Sequence, residues 1–338
     1  MISKYLSHKL TILYTILIIM VLYIHSYFKE GEQYPMVLFV QRFWGLGICS
    51  VANYLFFCMS GYLFARNLQN LHQVWGKQKK RFRSMLPPYI LWNLIFVLWY
   101  IVLEILPGLS SFNNSGAFAS ALFNQPIGDV LYDLFIKPVA FQMWFLRDLI
   151  SMVFLTPLMW WLSKKSLILS AVVMVAVIPF WGWVVYYWLG VIIAIKDINV
   201  DYSPVRSKSV AICFTIVLIY ALYLGSGGNW IPYVDVFVGI LGVYAIWGGY
   251  DILMRGTTPA DKGLWKYFCG FSFFVYCFHE PVFNIIKKLS VVCFGTNQIS
   301  LIILYFVNPL IMLWIAVMVA RVLQHICPLV YRALTGGR

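Results

Sequence analysis

The stretch LIILYFVNPLIMLWIAVMVA at residues 301–320 decides the fold class, because it contains no charged side chain. A membrane-spanning α-helix needs about 20 predominantly apolar residues, whereas a barrel strand needs about 10. Inside hydrocarbon, only helices and closed barrels satisfy their own backbone polar groups. Comparable apolar runs recur along the chain and are too long for barrel strands. The sequence therefore predicts an all-α, polytopic integral membrane protein.

Composition leads to the same class. Of the 338 residues, 62% are hydrophobic and 11% are charged, whereas soluble domains carry about 25% charged residues. We expect one transmembrane domain over residues 1–338, without a separate soluble domain. Its ten predicted spans lie near residues 10–27, 38–64, 86–106, 141–163, 166–180, 182–195, 208–225, 234–254, 268–288 and 299–325. The fifth and sixth share one apolar run, which Pro179 and the Gly182 region can break into a hairpin.

The positive charges predict the orientation. Lys and Arg concentrate on the cytoplasmic side of membrane proteins, and ten spans with both termini cytoplasmic place most of the 25 Lys and Arg there. We expect a multi-pass protein of the cytoplasmic (inner) membrane. This orientation accounts for the net charge of +13, so no nucleic-acid partner is expected. The densest basic group is predicted on the inner loop between the second and third spans and consists of Arg66, Lys77, Lys79, Lys80, Arg81 and Arg83. Two interpretations of this group are open: it binds an anionic ligand or lipid headgroup, or it only sets the orientation of the protein in the membrane.

Ionisable side chains within spans are costly and mark candidate functional positions. The candidates, all predicted toward the outer leaflet, are His25, Arg42, Arg147, Asp148, His279 and Glu280. An imidazole can take a proton from a hydroxyl near neutral pH, although a packing role is the alternative for a single intramembrane histidine. Because the basic group lies at the opposite face, the pattern suggests two ligands that enter from opposite sides.

The cysteines and the acidic residues predict no metal site. The seven cysteines show no CxxC spacing, so neither zinc nor a redox centre is expected. Cys277, His279 and Glu280 are close in sequence, but neighbouring helical residues diverge in direction and too few ligands converge.

Several separated motifs occur in a fixed order: VLYIHS at 21–26, FFCMSGYLFAR at 56–66, KKRFRSMLPPYILW at 79–92, WFLRDL at 144–149, YYWLGV at 186–191 and SFFVYCFHEPV at 272–282. Together they resemble the membrane-bound acyltransferase 3 family, whose members move acyl groups from coenzyme A thioesters to sugar hydroxyls. Three positions depart from that pattern. Tyr14 stands where many members carry an arginine eleven residues before the histidine, Ser84 replaces a second basic residue, and Tyr54 replaces a proline.

The resemblance implies a role for each candidate residue. His25 would be the general base and His279 an orienter or second acid, acting on acyl-CoA held by Lys80, Arg81, Arg83 and Arg66. Trp144 would line the tunnel. The acceptor side would be shaped by Arg42, Arg147, Asp148 and Glu280. Ser60 is interpreted as a mainly structural small residue beside Gly61, where close helix packing is expected.

The resemblance also implies the substrates. Acetyl-CoA or another acyl-CoA would be a donor substrate rather than a bound cofactor, and the acceptor would be a hydroxyl of a surface or lipid-linked glycan. Direct attack and an acyl-histidine intermediate are both open. A competing hypothesis is a transporter or flippase of a glycan or lipid-linked intermediate, which the absence of a detectable internal repeat weakens. A membrane scaffold is a third hypothesis, and it leaves the polar residues in the spans unexplained.

Overall fold

The computed structural model describes residues 2–106, 124–202, 207–254, 257 and 264–337. Over these residues every regular element is helical, which confirms the all-α prediction. Seven helical stretches within the described part are long and apolar enough to cross a membrane. The chain is therefore a polytopic membrane protein. The count of ten spans and the cytoplasmic position of both termini stay predictions.

Fourteen α-helices follow one another along the described chain. They are α1 Lys4–Ile24, α2 Pro35–Gln41, α3 Val51–Ala65, α4 Leu71–Ile105, α5 Ile127–Phe135, α6 Trp144–Lys165, α7 Leu167–Trp181, α8 Trp183–Ile195, α9 Ser207–Gly225, α10 Pro232–Met254, α11 Leu264–Cys269, α12 Ser272–Phe294, α13 Gln298–Ile326 and α14 Pro328–Thr335. A π-helix, Arg42–Cys49, leads from α2 toward α3. The first half of the second predicted span is therefore not a regular α-helix.

The basic group between the second and third spans was predicted on a loop, and this prediction is wrong for five of its six residues, since only Arg66 lies outside a helix. Helix α4 already begins at Leu71, because the side chain of Asn70 caps it by accepting a hydrogen bond from Gln73 N at 3.0 Å. The helix also continues through Pro87 and Pro88. Arg81 and Arg83 therefore have fixed directions on a helix surface.

Two other boundaries are decided by glycine. The predicted break at Gly182 is confirmed, since α7 ends before it and α8 begins after it, while Pro179 lies inside α7. The ninth predicted span, 268–288, is wrong as a single helix. The chain breaks after Cys269 at Gly270 and restarts at Ser272, whose hydroxyl donates to the Cys269 carbonyl at 2.9 Å. Between the third and fourth predicted spans, residues 107–123 lie outside the described part, and the helix α5 follows them.

Helices α3 and α8 pack with backbone almost touching backbone. A Cβ at Gly61 would overlap the Tyr187 carbonyl, and one at Gly190 would overlap the Cys58 carbonyl. Small residues allow this approach between membrane helices, which agrees with the close packing expected beside Ser60. The contact fixes α3, and with it one wall of the central cavity described below.

A buried ion pair connects the first helix to α10. Lys9 Nζ lies 2.8 Å from both carboxylate oxygens of Asp251, and both side chains are buried. The Trp247 ring lies 4.0 Å beneath the ammonium group, and Tyr5 donates to the same carboxylate at 2.6 Å. The predicted first span began at residue 10, but α1 begins at Lys4, so Lys9 lies inside the bundle.

We expect Gly61→Ala to lower the thermal unfolding midpoint of the detergent-purified protein. Its Cβ would push α3 and α8 apart, and overpacking costs about 1–3 kcal/mol. Gly249→Ala is the matched control, because a Cβ there meets nothing within 4 Å. Equal midpoints for the two variants would contradict the proposed close contact.

We expect Lys9→Met to destabilise the fold by about 3–5 kcal/mol, because it leaves the Asp251 carboxylate buried without its cation. The double variant Lys9→Met/Asp251→Leu should recover most of that loss, since no charge then remains unpaired. Unfolding midpoints of the single and double variants measure the coupling. Additive losses would show that the two groups act independently.

Candidate active site

His25 lies at the C-terminal end of α1, where the helix leaves its last carbonyl groups without intrahelical donors. The ammonium group of Lys287 on α12 donates to the His25 carbonyl at 3.0 Å. The next residue, Ser26, is buried and donates to the Tyr305 carbonyl on α13 at 2.8 Å. Two other helices thus hold the backbone that carries His25.

The structure brings His25, His279 and Glu280 together. Nδ1 of His25 lies 2.6 Å from Oε1 of Glu280, and both side chains are largely buried. The two imidazole rings have their centroids 4.8 Å apart, and His279 is fully buried. The second oxygen of Glu280 accepts from Asn284 Nδ2 at 3.2 Å. Residues 25 and 279–280, far apart in sequence, therefore form one polar cluster.

The hydrogen bonds assign a tautomer to each imidazole. Nδ1 of His279 lies 2.8 Å from the Tyr276 carbonyl and 3.2 Å from that of Val275. Because a carbonyl only accepts, this nitrogen carries the proton, and a neutral ring then has a lone pair on Nε2. By the same reasoning, the Glu280 carboxylate holds the proton on Nδ1 of His25. Both rings thus present an unprotonated Nε2, and Nε2 of His279 has no hydrogen-bond partner among the described residues.

The cluster also offers three groups of the kind that bind metals. Their ligand atoms lie within 4.8 Å of one another. Two ligands of one tetrahedral zinc ion stand about 3.3 Å apart at ordinary bond lengths. The 2.6 Å separation of His25 and Glu280 is instead that of a hydrogen bond. The observed geometry is thus that of a hydrogen-bonded dyad with a second imidazole beside it.

A cavity of about 430 Å³ approaches this cluster from the other end of the bundle. Arg81 and Ser60 line it, together with Tyr14 on α1. Val21, about 10 Å farther along α1 at 1.5 Å per residue, also lines it. Val21 precedes His25 by one helical turn, and on α12 the lining residue Tyr276 precedes His279 by three residues. The cavity therefore ends about one turn short of the two imidazoles.

The predicted donor residues separate in the structure. Arg81 lines the cavity, whereas Arg83 lines a second, shallow groove on the outside of α4. Lys80 is exposed, and Arg66 lies at the end of α3 over the Tyr62 ring. Residues two positions apart on a helix point in different directions, which explains the separation of Arg81 from Arg83.

The predicted acceptor-side residues, apart from Glu280, are not at the imidazole cluster. Arg147 binds Asp148 at 2.7 Å and the Ile136 carbonyl at 2.9 Å, and Asp148 accepts from Trp181 on α7. Trp144 packs on the rings of Phe57 and Trp183. Arg42 lies in the π-helix. None of these side chains lines the cavity, and those of Trp144, Arg147 and Asp148 contact neighbouring segments instead.

The sequence-based prediction missed two residues of the cluster, Asn284 and Lys287. They follow Glu280 by four and seven residues, so helical spacing alone places all three on one face of α12. It also missed Tyr276, whose hydroxyl donates to the Gln142 carbonyl at 2.7 Å and accepts from Leu146 N at 3.2 Å. That hydroxyl ties the start of α6 to α12 beside the end of the cavity.

Comparison with known proteins agrees with this architecture. Residues 8–323 match the model of an acyltransferase domain, acyltransferase 3. The chain is also similar to the succinoglycan biosynthesis protein ExoH of Rhizobium meliloti (strain 1021), with 23% identity over 324 residues. That alignment covers 90% of this chain and 84% of the relative. No solved structure matches the chain.

Proposed function

This chain belongs to the acyltransferase 3 family and is thus a membrane acyltransferase, and from that premise we propose its substrates and mechanism. The donor is acyl-CoA, with acetyl as the expected acyl group, and it enters from the cytoplasmic side of the cytoplasmic membrane. The acceptor is a hydroxyl of a surface or lipid-linked glycan. The relative named for succinoglycan biosynthesis supports a polysaccharide acceptor. The observation that carries the mechanism is the His25–Glu280 dyad, about one helical turn beyond the end of a cavity that Arg81 lines.

Arg81 is the proposed contact for the donor phosphates. A guanidinium group binds phosphate oxygens through charge-assisted, often paired hydrogen bonds. Arg81 is the one charged side chain among the described residues that line the cavity. Beyond it the walls are largely apolar and aromatic, with Phe145 and Phe273 among them. This lining suits an uncharged pantetheine arm with its thioester leading toward the imidazoles.

His25 is the proposed general base. Nε2 of His25 takes the proton of the acceptor hydroxyl while the hydroxyl oxygen attacks the thioester carbonyl carbon. When the tetrahedral intermediate collapses, the carbon–sulfur bond breaks and the proton on His25 passes to the leaving thiolate. The products are an ester and free CoA. Glu280 holds the imidazole in orientation and stabilises the imidazolium that forms during transfer, as an acidic partner does in hydrolase triads.

His279 is proposed as a hydrogen-bond acceptor rather than an acid. Its neutral ring carries the proton on the nitrogen that faces the Tyr276 and Val275 carbonyls. The other nitrogen therefore offers a lone pair, which can accept a hydrogen bond from a second hydroxyl of the glycan and so hold the reacting hydroxyl against His25. This interpretation revises the second-acid role that the resemblance implied for the residue.

We expect His25→Ala to reduce acyl transfer about 100-fold or more, because a positioned base contributes about 10²–10⁴-fold. Glu280→Gln should lower kcat by about tenfold or more, with little change in the KM for the donor, since it misorients the base without touching the donor. The assay uses purified protein in detergent, radiolabelled acetyl-CoA and candidate glycans. His72→Ala, at an exposed histidine on α4, is the control. Full activity of folded His25→Ala would refute the proposal, and wild-type protein without thioester turnover on any acceptor would favour transport.

We expect Arg81→Gln to raise the KM for acetyl-CoA about tenfold or more, because a hydrogen bond to a charged group contributes about 1.5–3 kcal/mol. Arg83→Gln removes the same charge two residues away and should leave that KM within about twofold. Initial rates at varied acetyl-CoA measure both. Equal effects would mean that the donor responds to the overall positive charge of α4 rather than to a contact inside the cavity.

A further inference from the structure

The outer surface of α4 carries a basic and aromatic groove that the proposed reaction does not use. Trp75, Lys79 and Arg83 follow one another at intervals of four residues and so lie on one face of the helix. All three are exposed, and Trp75 is 56% exposed. With Phe82 and Leu86 they line a shallow groove that is separate from the central cavity. Arg81, two residues before Arg83, lines the cavity instead.

From the groove, an exposed apolar stripe continues along α4 and winds gradually round the helix, since each step of four residues exceeds a full turn. Its members, each four residues apart, are Leu86, Ile90, Leu94, Leu98 and Val102, with exposures of 39%, 37%, 45%, 61% and 45%. No charged residue occurs between Arg83 and Glu104. That segment is about 30 Å long at 1.5 Å per residue, which equals the thickness of the hydrocarbon core. Lipid chains therefore cover this face, and Lys79 and Arg83 lie where it meets the headgroups.

The floor of the groove is rigid. The Gln78 side-chain amide donates to the carbonyl groups of Val153 and Phe154 on α6, at 3.0 and 2.9 Å. These bonds fix the rotation of α4 against α6, so the directions of Lys79 and Arg83 are set by packing. Aromatic residues such as Trp75 favour the same membrane–water boundary.

We propose that this groove binds the headgroup phosphate of an anionic phospholipid. Lys79 and Arg83 hold the phosphate oxygens from two sides, Trp75 packs at the headgroup level, and the acyl chains follow the stripe below Leu86. Acyl-CoA does not fit this place, because its thioester would have to pass through lipid rather than through the bundle. The site is independent of the proposed donor contact at Arg81.

The test is native mass spectrometry of the full chain in detergent mixed with phosphatidylglycerol or phosphatidylcholine. Wild-type protein should retain phosphatidylglycerol preferentially. Lys79→Gln/Arg83→Gln should reduce that preference about 25-fold, since each basic residue near an anionic lipid contributes about fivefold. Lys164→Gln/Lys165→Gln removes the same charge from the neighbouring end of α6 and should keep the preference. A parallel titration of each variant with acetyl-CoA shows whether the substitutions weaken lipid binding or donor binding.

Three results would overturn the proposal. Wild-type protein that binds both lipids equally has no anionic site. Equal losses in the two double variants would mean that only the total charge of that face matters. Weakened acetyl-CoA binding in Lys79→Gln/Arg83→Gln, with lipid retention unchanged, would assign the groove to the donor.

Discussion

A polar side chain inside a bilayer finds no water, so a neighbouring helix must supply its partner. That constraint accounts for several contacts between helices that are far apart in this sequence. Lys9 pairs with Asp251, and Tyr54 donates to Asp235 at 2.9 Å. At the C-terminal end of α1, Lys287 donates to the carbonyl of His25. Each bond joins helices that are distant in sequence and defines their relative rotation. Apolar packing alone leaves that rotation loosely specified, because lipid is as apolar as the helix faces.

The His25–Glu280 pair differs from the other buried pairs in what it leaves available. The Asp251 carboxylate is occupied by Lys9 and Tyr5, and the Trp247 ring covers the ammonium group. Glu280, by contrast, occupies only one nitrogen of His25. The second nitrogen stays available, near a cavity and beside another imidazole. A pair of this kind can take part in proton transfer, whereas a fully satisfied pair contributes stability alone.

Much of the site was predictable because ionisable residues are rare in this sequence. His25, His279 and Glu280 are conspicuous within apolar runs, and the structure groups them. Their partners Asn284 and Lys287 were also within reach, since helical spacing places them on the face of Glu280. The Lys9–Asp251 contact could not be predicted from the sequence, because it depends on which helices are neighbours. No local pattern carries that information.

The division of the basic group illustrates the same limit at a single helix. When the segment is interpreted as a loop, Arg81 and Arg83 appear equivalent. Both were therefore assigned to acyl-CoA. The Asn70 cap extends α4 through this region and gives the two side chains opposite surroundings. One direction leads into the bundle, toward Tyr14 and Ser60, and the other leads to the groove on the outer surface of α4. In this chain Tyr14 also replaces the arginine expected on that wall, so the cavity depends on α4 for its positive charge. Because Asn70 starts the helix before this segment, Arg81 and not Arg83 can contact a ligand inside the protein.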